Sequence, residues 1–218
     1  MEILFWIGFG ILALIIIAGI IFGLPSTKGW AGERVVRTIL NSLPKDEYIV
    51  LNDIKFYGRE KENKGPGRYK GKRWSCQIDH LIISQYGIFC IETKNYLGKI
   101  SGNYRDKYLT RKVLGMKYQT YSPIYQNYRH LQRLVETFPL IKSHSKDLHS
   151  IICFMPGGNP TINGNGAATI YKAQGLKKEL LKYQTPVISR DEYIEIANQV
   201  KTSSRNHILS QDGKIITA

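Results

Sequence analysis

The chain has 218 residues and a formal net charge of +14. That length holds one domain with a full core and is short for two, while a balance this basic points to nucleic acid or an anionic lipid surface as partner. Cys76, Cys90 and Cys153 lack any CxxC spacing and sit in strand-like contexts, which argues against a disulfide or metal framework and for buried thiols in a reducing compartment.

The chain opens on an almost unbroken apolar run, Ile3–Gly23. As a helix rising about 1.5 Å per residue, it matches the roughly 30 Å hydrocarbon core of a bilayer. Only Met1 and Glu2 precede it, without the positive leader of a cleaved signal peptide, so a retained anchor is expected. Lys28, Arg34 and Arg37 follow the run and no Lys or Arg precedes it, which predicts a single-pass cell-membrane protein with its body in the cytoplasm.

Leu24-Pro25-Ser26-Thr27 reads as a break between helices. Trp30 to Leu43 is predicted as a helix burying Val36, Ile39, Leu40 and Leu43, with Glu33 near that stripe, where an acid needs a partner or a task. Tyr48 to Phe56 reads as a strand. Tyr57 to Arg73 is a Gly-, Lys- and Arg-rich loop, either solvated or in contact with phosphate. Trp74 to Ser84 and Gly87 to Tyr96 form two strands joined by a tight turn, and Gly98 to Tyr118 is a basic hairpin or loop region. Ser122-Pro123 caps a helix reaching about Phe138, with Ile124, Tyr128, Leu131, Val135 and Phe138 on its buried face. His149 to Met155, Ala168 to Tyr171 and Pro186 to Ile188 are strand candidates. Ser189 and Glu192 make a capping box for a last helix to about Lys201. This order predicts an α/β fold, a mixed β-sheet flanked by helices and preceded by one transmembrane helix.

Glu92 and Lys94 are two apart on a strand and share a face. Across the turn, a two-residue connection sets Asp79 opposite Glu92; a three-residue one sets His80 there instead, since a one-residue slip exchanges faces. With Asp79 and Glu92 together, two carboxylates can hold a hard cation such as Mg2+ or Mn2+. Lys94 beside them can orient a water and offset charge on a phosphorane-like state. These are the parts of phosphodiester hydrolysis; a strand ion-pair cluster is the rival reading. Gln77 shares the face of Asp79. Gln126 and His130, four apart on one helix face, either line the cleft, pack or face solvent. Lys99, Arg105, Lys107, Arg111, Lys112 and Lys117, interleaved with Tyr104, Tyr108 and Tyr118, suit a phosphate-tracking surface or a solvated hairpin face.

Gly32-Glu33 at a helix start, Gln77-Ile78-Asp79-His80-Leu81, the stretch Gly87 to Ile100 and the later Pro123, Gln126 and His130 together resemble the nuclease-related domain, NERD. That family is similar in turn to the PD-(D/E)xK restriction-endonuclease-like superfamily. The resemblance covers about Gly29 to Phe138. It implies metal ligands at Asp79 and Glu92, a catalytic lysine at Lys94, a helix-borne acid at Glu33, and Mg2+-dependent cleavage of DNA, with RNA a second choice. Ile78 stands where the superfamily places its proline. The expected organisation is an anchor at 1–24, a linker at 25–28, a nuclease-related core at 29–140 and a part at 141–218 that completes or extends the same domain. Against the nuclease stands a membrane-tethered module of the same fold that binds nucleic acid, or serves as an adaptor, without cutting.

Overall fold

A computed structural model of the chain describes residues 6–7, 10–11, 25–59 and 73–211. All but four residues of the expected anchor Ile3–Gly23, and most of the basic loop expected at 57–73, lie outside the described residues. Among the described residues no helix is long and apolar enough to cross a membrane.

Helix α1 spans Pro25–Leu40. It starts within the expected linker, because proline is tolerated in a helix's first turn, where its missing N–H needs no partner. Strands β1 (Tyr48–Arg59), β2 (Arg73–Ser84) and β3 (Gly87–Lys94) follow as an antiparallel meander. Then come β4 (Gly98–Asn103), β5 (Tyr108–Val113) and β6 (Met116–Tyr121). Helix α2 (Pro123–Thr137) is capped by Ser122, whose side chain accepts from the Tyr125 N–H, and a short α3 (Pro139–Ser143) succeeds it. Strands β7 (Leu148–Phe154), β8 (Gly158–Asn163) and β9 (Ala168–Lys172) lead to α4 (Leu176–Leu180) and α5 (Arg190–Gln211).

Two mixed sheets result. The first has the order β1-β2-β3-β7-β9, with β3, β7 and β9 parallel. The central β3 is buried along almost its whole length, as the unbroken run Ile88-Phe89-Cys90-Ile91 requires of a strand covered on both faces. On one face Val36, Leu40 and Leu43 meet Ile82, Phe89, Ile91 and Ile151, closed by Leu176 and Leu180. On the other, Leu134, Phe138, Ile141, Tyr193, Ile196 and Val200 cover Leu51, Ile54, Ile78, Leu81, Ile88 and Cys90. The second sheet has the order β6-β5-β4-β8, and its Ile100 and Leu109 pack on Ile124, Ile152 and Phe154.

Several expectations change. The region read as a basic hairpin or loop is three strands, completed by β8 arriving parallel to β4 from some sixty residues later. Local pattern does not show β8, whose Gly158 and Pro160 disfavour a strand; the proline is accepted because β8 is an edge strand. On α2 the buried stripe runs through Ile124, Asn127 and Leu134, and Tyr128 is exposed instead of buried. Residues Pro186 to Ile188 form no strand: Val187 and Ile188 donate to the single carbonyl of Gln85, at 2.7 and 3.1 Å. The capping box forms, with Glu192 N donating to Ser189 Oγ and Ser189 N to Glu192 Oε2, and its helix runs ten residues beyond Lys201, to Gln211.

Candidate active site

The β2–β3 turn has two residues, Gln85 and Tyr86, and pairs Ser84 with Gly87 through to His80 with Ile91. Gly87 takes φ +134°, and a Cβ there would lie 2.9 Å from the Asp147 carbonyl oxygen, so only glycine closes this turn without strain. One step past His80 the register carries Asp79 opposite Glu92, and Thr93 N donates to Asp79 Oδ2 at 2.8 Å. The side-chain alternation breaks phase next to Asp79, since Cys76 and Ile78 share one cluster with Leu81 and Ile83. On β1 the matching break falls at Asp53, flanked by the pairs Asn52–His80 and Ile54–Ile78. Asp53 absorbs it in a left-handed conformation, φ +51°, costing on the order of 1 kcal/mol for a residue with a Cβ.

Glu33, Gln77, Asp79, Glu92, Lys94 and Gln126 all line one cavity of about 660 Å³, with Tyr96 and Arg111 on its wall. Glu33 comes from α1, the acids and Lys94 from the hairpin, and Gln126 from the first turn of α2. Glu92 is 1% exposed. Its Oε1 accepts from Lys94 Nζ at 2.5 Å, and Lys94 Nζ also donates to Gln126 Oε1 at 3.1 Å. Glu92 Oε2 is buried with no hydrogen-bond partner among the described residues. Gln77 Nε2 donates to Asp53 Oδ1 at 2.7 Å, on the exposed lip.

The acids disturb one another's titration. Burial pushes the Glu92 carboxyl up to about 7, Asp79 and Glu33 adding to the effect and Lys94 opposing it. Burial also raises Asp79, with Asp53 adding to it against the Thr93 N–H and Lys94. Glu33 is raised by burial and by Asp79 and Asp53. Burial works against the charge of Lys94, but Glu92, Tyr96 and Asp79 outweigh it and hold the ammonium above its ordinary range. Groups pushed off their usual values together in one cleft make it the candidate site.

A family model of the nuclease-related domain matches residues 28–155. The chain belongs to the NERD family. An uncharacterized protein of Bacillus anthracis is 32% identical over 110 residues, a match covering 50% of this chain and 46% of that protein. The chain thus spans about half the length of the curated relative it matches. No solved structure matches.

Within this NERD fold the remaining expected site residues are divided. His130 Nδ1 lies 3.6 Å from Glu92 Oε2, yet burial, Lys94 and Arg129 push its imidazole down to about 4. It is therefore neutral, and the contact is not an ion pair at neutral pH. Lys99 is exposed on the second sheet, opposite Lys112 and Asn159. Arg105 lines a separate cavity of about 440 Å³ with Tyr104, Tyr125 and Tyr128. Neither reaches the acids' cavity.

Two residues escape a reading of the sequence. Asp53 lies within electrostatic reach of both Glu33 and Asp79; an acid in the middle of a predicted strand was the available signal. Asn127 is fully buried, and its Nδ2 is directed at Cys90 O and Ser150 Oγ, each at 2.9 Å, while its Oδ1 accepts from Cys90 Sγ at 3.1 Å. It ties α2 to β3 and β7 and so sets where Gln126 stands.

His80 turns away from this cavity. Its Nδ1 donates to Asn52 Oδ1 at 2.7 Å and its Nε2 is buried without a partner, so burial and nearby Arg37 push it down to about 4 from 6.5. A base that is harder to protonate folded than unfolded leaves stability untouched above pH 6.5. It withdraws stability as pH falls from about 6.5 to about 4, by about 3 kcal/mol in all. Urea unfolding in EDTA across that range is expected to show a shallower acid loss for His80→Gln, by about 1.4 kcal/mol per pH unit; parallel curves would contradict the assignment.

Asp79 and Glu92 are the carboxylates that could hold a hard cation. Among the described residues no three His, Cys, Asp or Glu cluster closely enough to hold a metal ion by themselves. Mg2+, however, keeps several waters and is commonly held by one or two carboxylates plus substrate phosphate. Asp79 and Glu92 could supply two: Lys94 engages Oε1 of Glu92, and its Oε2 is buried with no hydrogen-bond partner among the described residues.

Proposed function

We propose that this chain is a metal-dependent nuclease that hydrolyses phosphodiester bonds, DNA in preference to RNA, from a restriction-endonuclease-like domain. Its anchor, residues 3–23, would hold it as a single-pass protein at the cell membrane with the domain in the cytoplasm. Asp79 and Glu92 would hold Mg2+ or Mn2+, and Glu33 completes the acidic wall from α1. When bound, such an ion polarises a phosphate oxygen and acidifies a water. The observation that carries the reading is the convergence of Asp79, Glu92 and Lys94 on one cavity from two adjacent strands.

The chain's own groups have definable parts in this chemistry. An ammonium has three donors; Lys94 commits two, to Glu92 and Gln126, and keeps one for a substrate oxygen or the attacking water. Held charged, it opposes the negative charge that grows in the transition state. Gln126 has no charge to trade and orients the lysine. The low-dielectric wall around Glu92 strengthens each of these interactions.

The short Lys94–Glu92 contact also favours a second reading, a module that binds nucleic acid without cutting, because it neutralises a prospective metal ligand. Full-length chain in detergent, incubated with labelled single- and double-stranded DNA and RNA in Mg2+, Mn2+ or EDTA, separates the two. The nuclease cuts with a divalent ion and not in EDTA. Binding that persists with no cutting under any ion would establish the module instead.

A further inference from the structure

The cavity's acids face a wall contributed by the second sheet, and that wall carries a cation. Arg111, on β5, lines the same cavity as Glu33, Asp79 and Glu92. Its guanidinium carbon lies 5.4 Å from the ring centre of Tyr96 and 5.6 Å from that of Tyr118, and Thr120 Oγ1 donates to Tyr96 OH at 3.0 Å, holding that ring. Both rings lie within cation–π reach of the guanidinium and consume none of its N–H donors. Its Nε–H is buried and has no acceptor among the described residues, and buried donors are rarely left so. Lys94, the other cation on the wall, is already engaged by Glu92 and Gln126. A polyanion entering this acidic cavity needs a positive group that is not engaged in this way.

We propose that Arg111 is the phosphate clamp of this cavity, gripping the non-bridging oxygens of a bound nucleic-acid strand with the terminal N–H groups of its guanidinium. The inference rests on the nuclease reading for its substrate class. It selects one residue from the basic run of the second sheet: Lys99, Arg105, Lys107, Lys112 and Lys117 all lie off the cavity wall. Planar two-point recognition of phosphate is what distinguishes an arginine from a lysine at such a place.

The test uses full-length chain in detergent and a short labelled single-stranded DNA. Binding is followed by anisotropy in EDTA over a range of salt, and cutting is measured separately in Mg2+. Arg111→Met keeps the stem between the tyrosines and removes the charge. It is expected to weaken binding about ten- to a hundredfold, to flatten log K against log salt by about 0.7, and to raise KM by a similar factor with kcat little changed. Arg111→Lys keeps the charge and is expected to keep the salt slope while losing several-fold in affinity. Lys112→Ala, which removes equal charge from the opposite face of β5, is the control and is expected to change affinity less than about twofold. Wild-type binding by Arg111→Met, or a fall in kcat with KM unchanged, overturns the clamp. A purely structural arginine predicts that both substitutions unfold the chain more easily yet bind normally, which also overturns it. If no form of the chain cuts and Arg111→Met still loses affinity and slope, the nuclease reading falls and the clamp stands.

Discussion

Glu92→Gln is expected to abolish metal-dependent cutting, by about a thousandfold or more, while the chain stays folded. The substitution removes one unit of negative charge where a cation and a phosphoryl group would meet, and preorganised electrostatics of this kind account for a large share of catalysis. The fold survives because the amide fills the same volume and its oxygen can accept from Lys94 as Glu92 Oε1 does. Its nitrogen can donate to His130 Nδ1, itself buried without a partner. Lys94→Ala is expected to be equally inactive and also less stable. It leaves a carboxyl that is 1% exposed without its ammonium. Because burial already holds that carboxyl up at about 7, it takes up a proton, and the loss is expected to stay below the about 3–5 kcal/mol of a buried pair broken with its charge retained. The comparison separates chemistry from folding: cutting rate and urea midpoint are measured on both variants. A Glu92→Gln protein that cuts at the parental rate in Mg2+ removes this carboxylate from the mechanism.

Asn127→Ala is expected to lower stability by about 3 kcal/mol and to reduce cutting as well. Asn127 is fully buried on α2. Truncation deletes its bonds to Cys90 O, Ser150 Oγ and Cys90 Sγ, each worth about 1 kcal/mol net, and leaves buried polar groups unpaired. The next residue in the helix is Gln126, which holds Lys94, so a loosened α2 moves the lysine's partner too. Urea unfolding gives the stability change and the Mg2+ assay the rate. A loss under about 1 kcal/mol with full activity shows that α2 is seated by its apolar contacts alone.

Much of this arrangement was legible in local pattern. Strands β1 to β3, helix α2 with its Ser122 cap and the Ser189–Glu192 box follow from side-chain period, turn chemistry and short-range hydrogen bonding. All of these act within a few residues. Asp79, Glu92 and Lys94 were legible as candidates for the same reason: spacing of two on a strand and a tight turn leave few registers.

Tertiary structure decided what depends on distant partners. Whether Asp79 or His80 faces Glu92 is a one-residue choice that the letters leave open; the two-residue turn, with Gly87 at φ +134° against the Asp147 carbonyl, makes it. The paired phase break at Asp53 and Asp79 belongs to two strands at once and has no signature in either. The second sheet forms only because β8, far along the chain, pairs with β4. Without that wall Arg111 would be one basic residue among many. Asn127 could be known as a core residue only when β3 and β7 brought it acceptors, since an asparagine is buried at little cost only where its hydrogen bonds are met. The residue types of the site were written locally; their convergence is a long-range event.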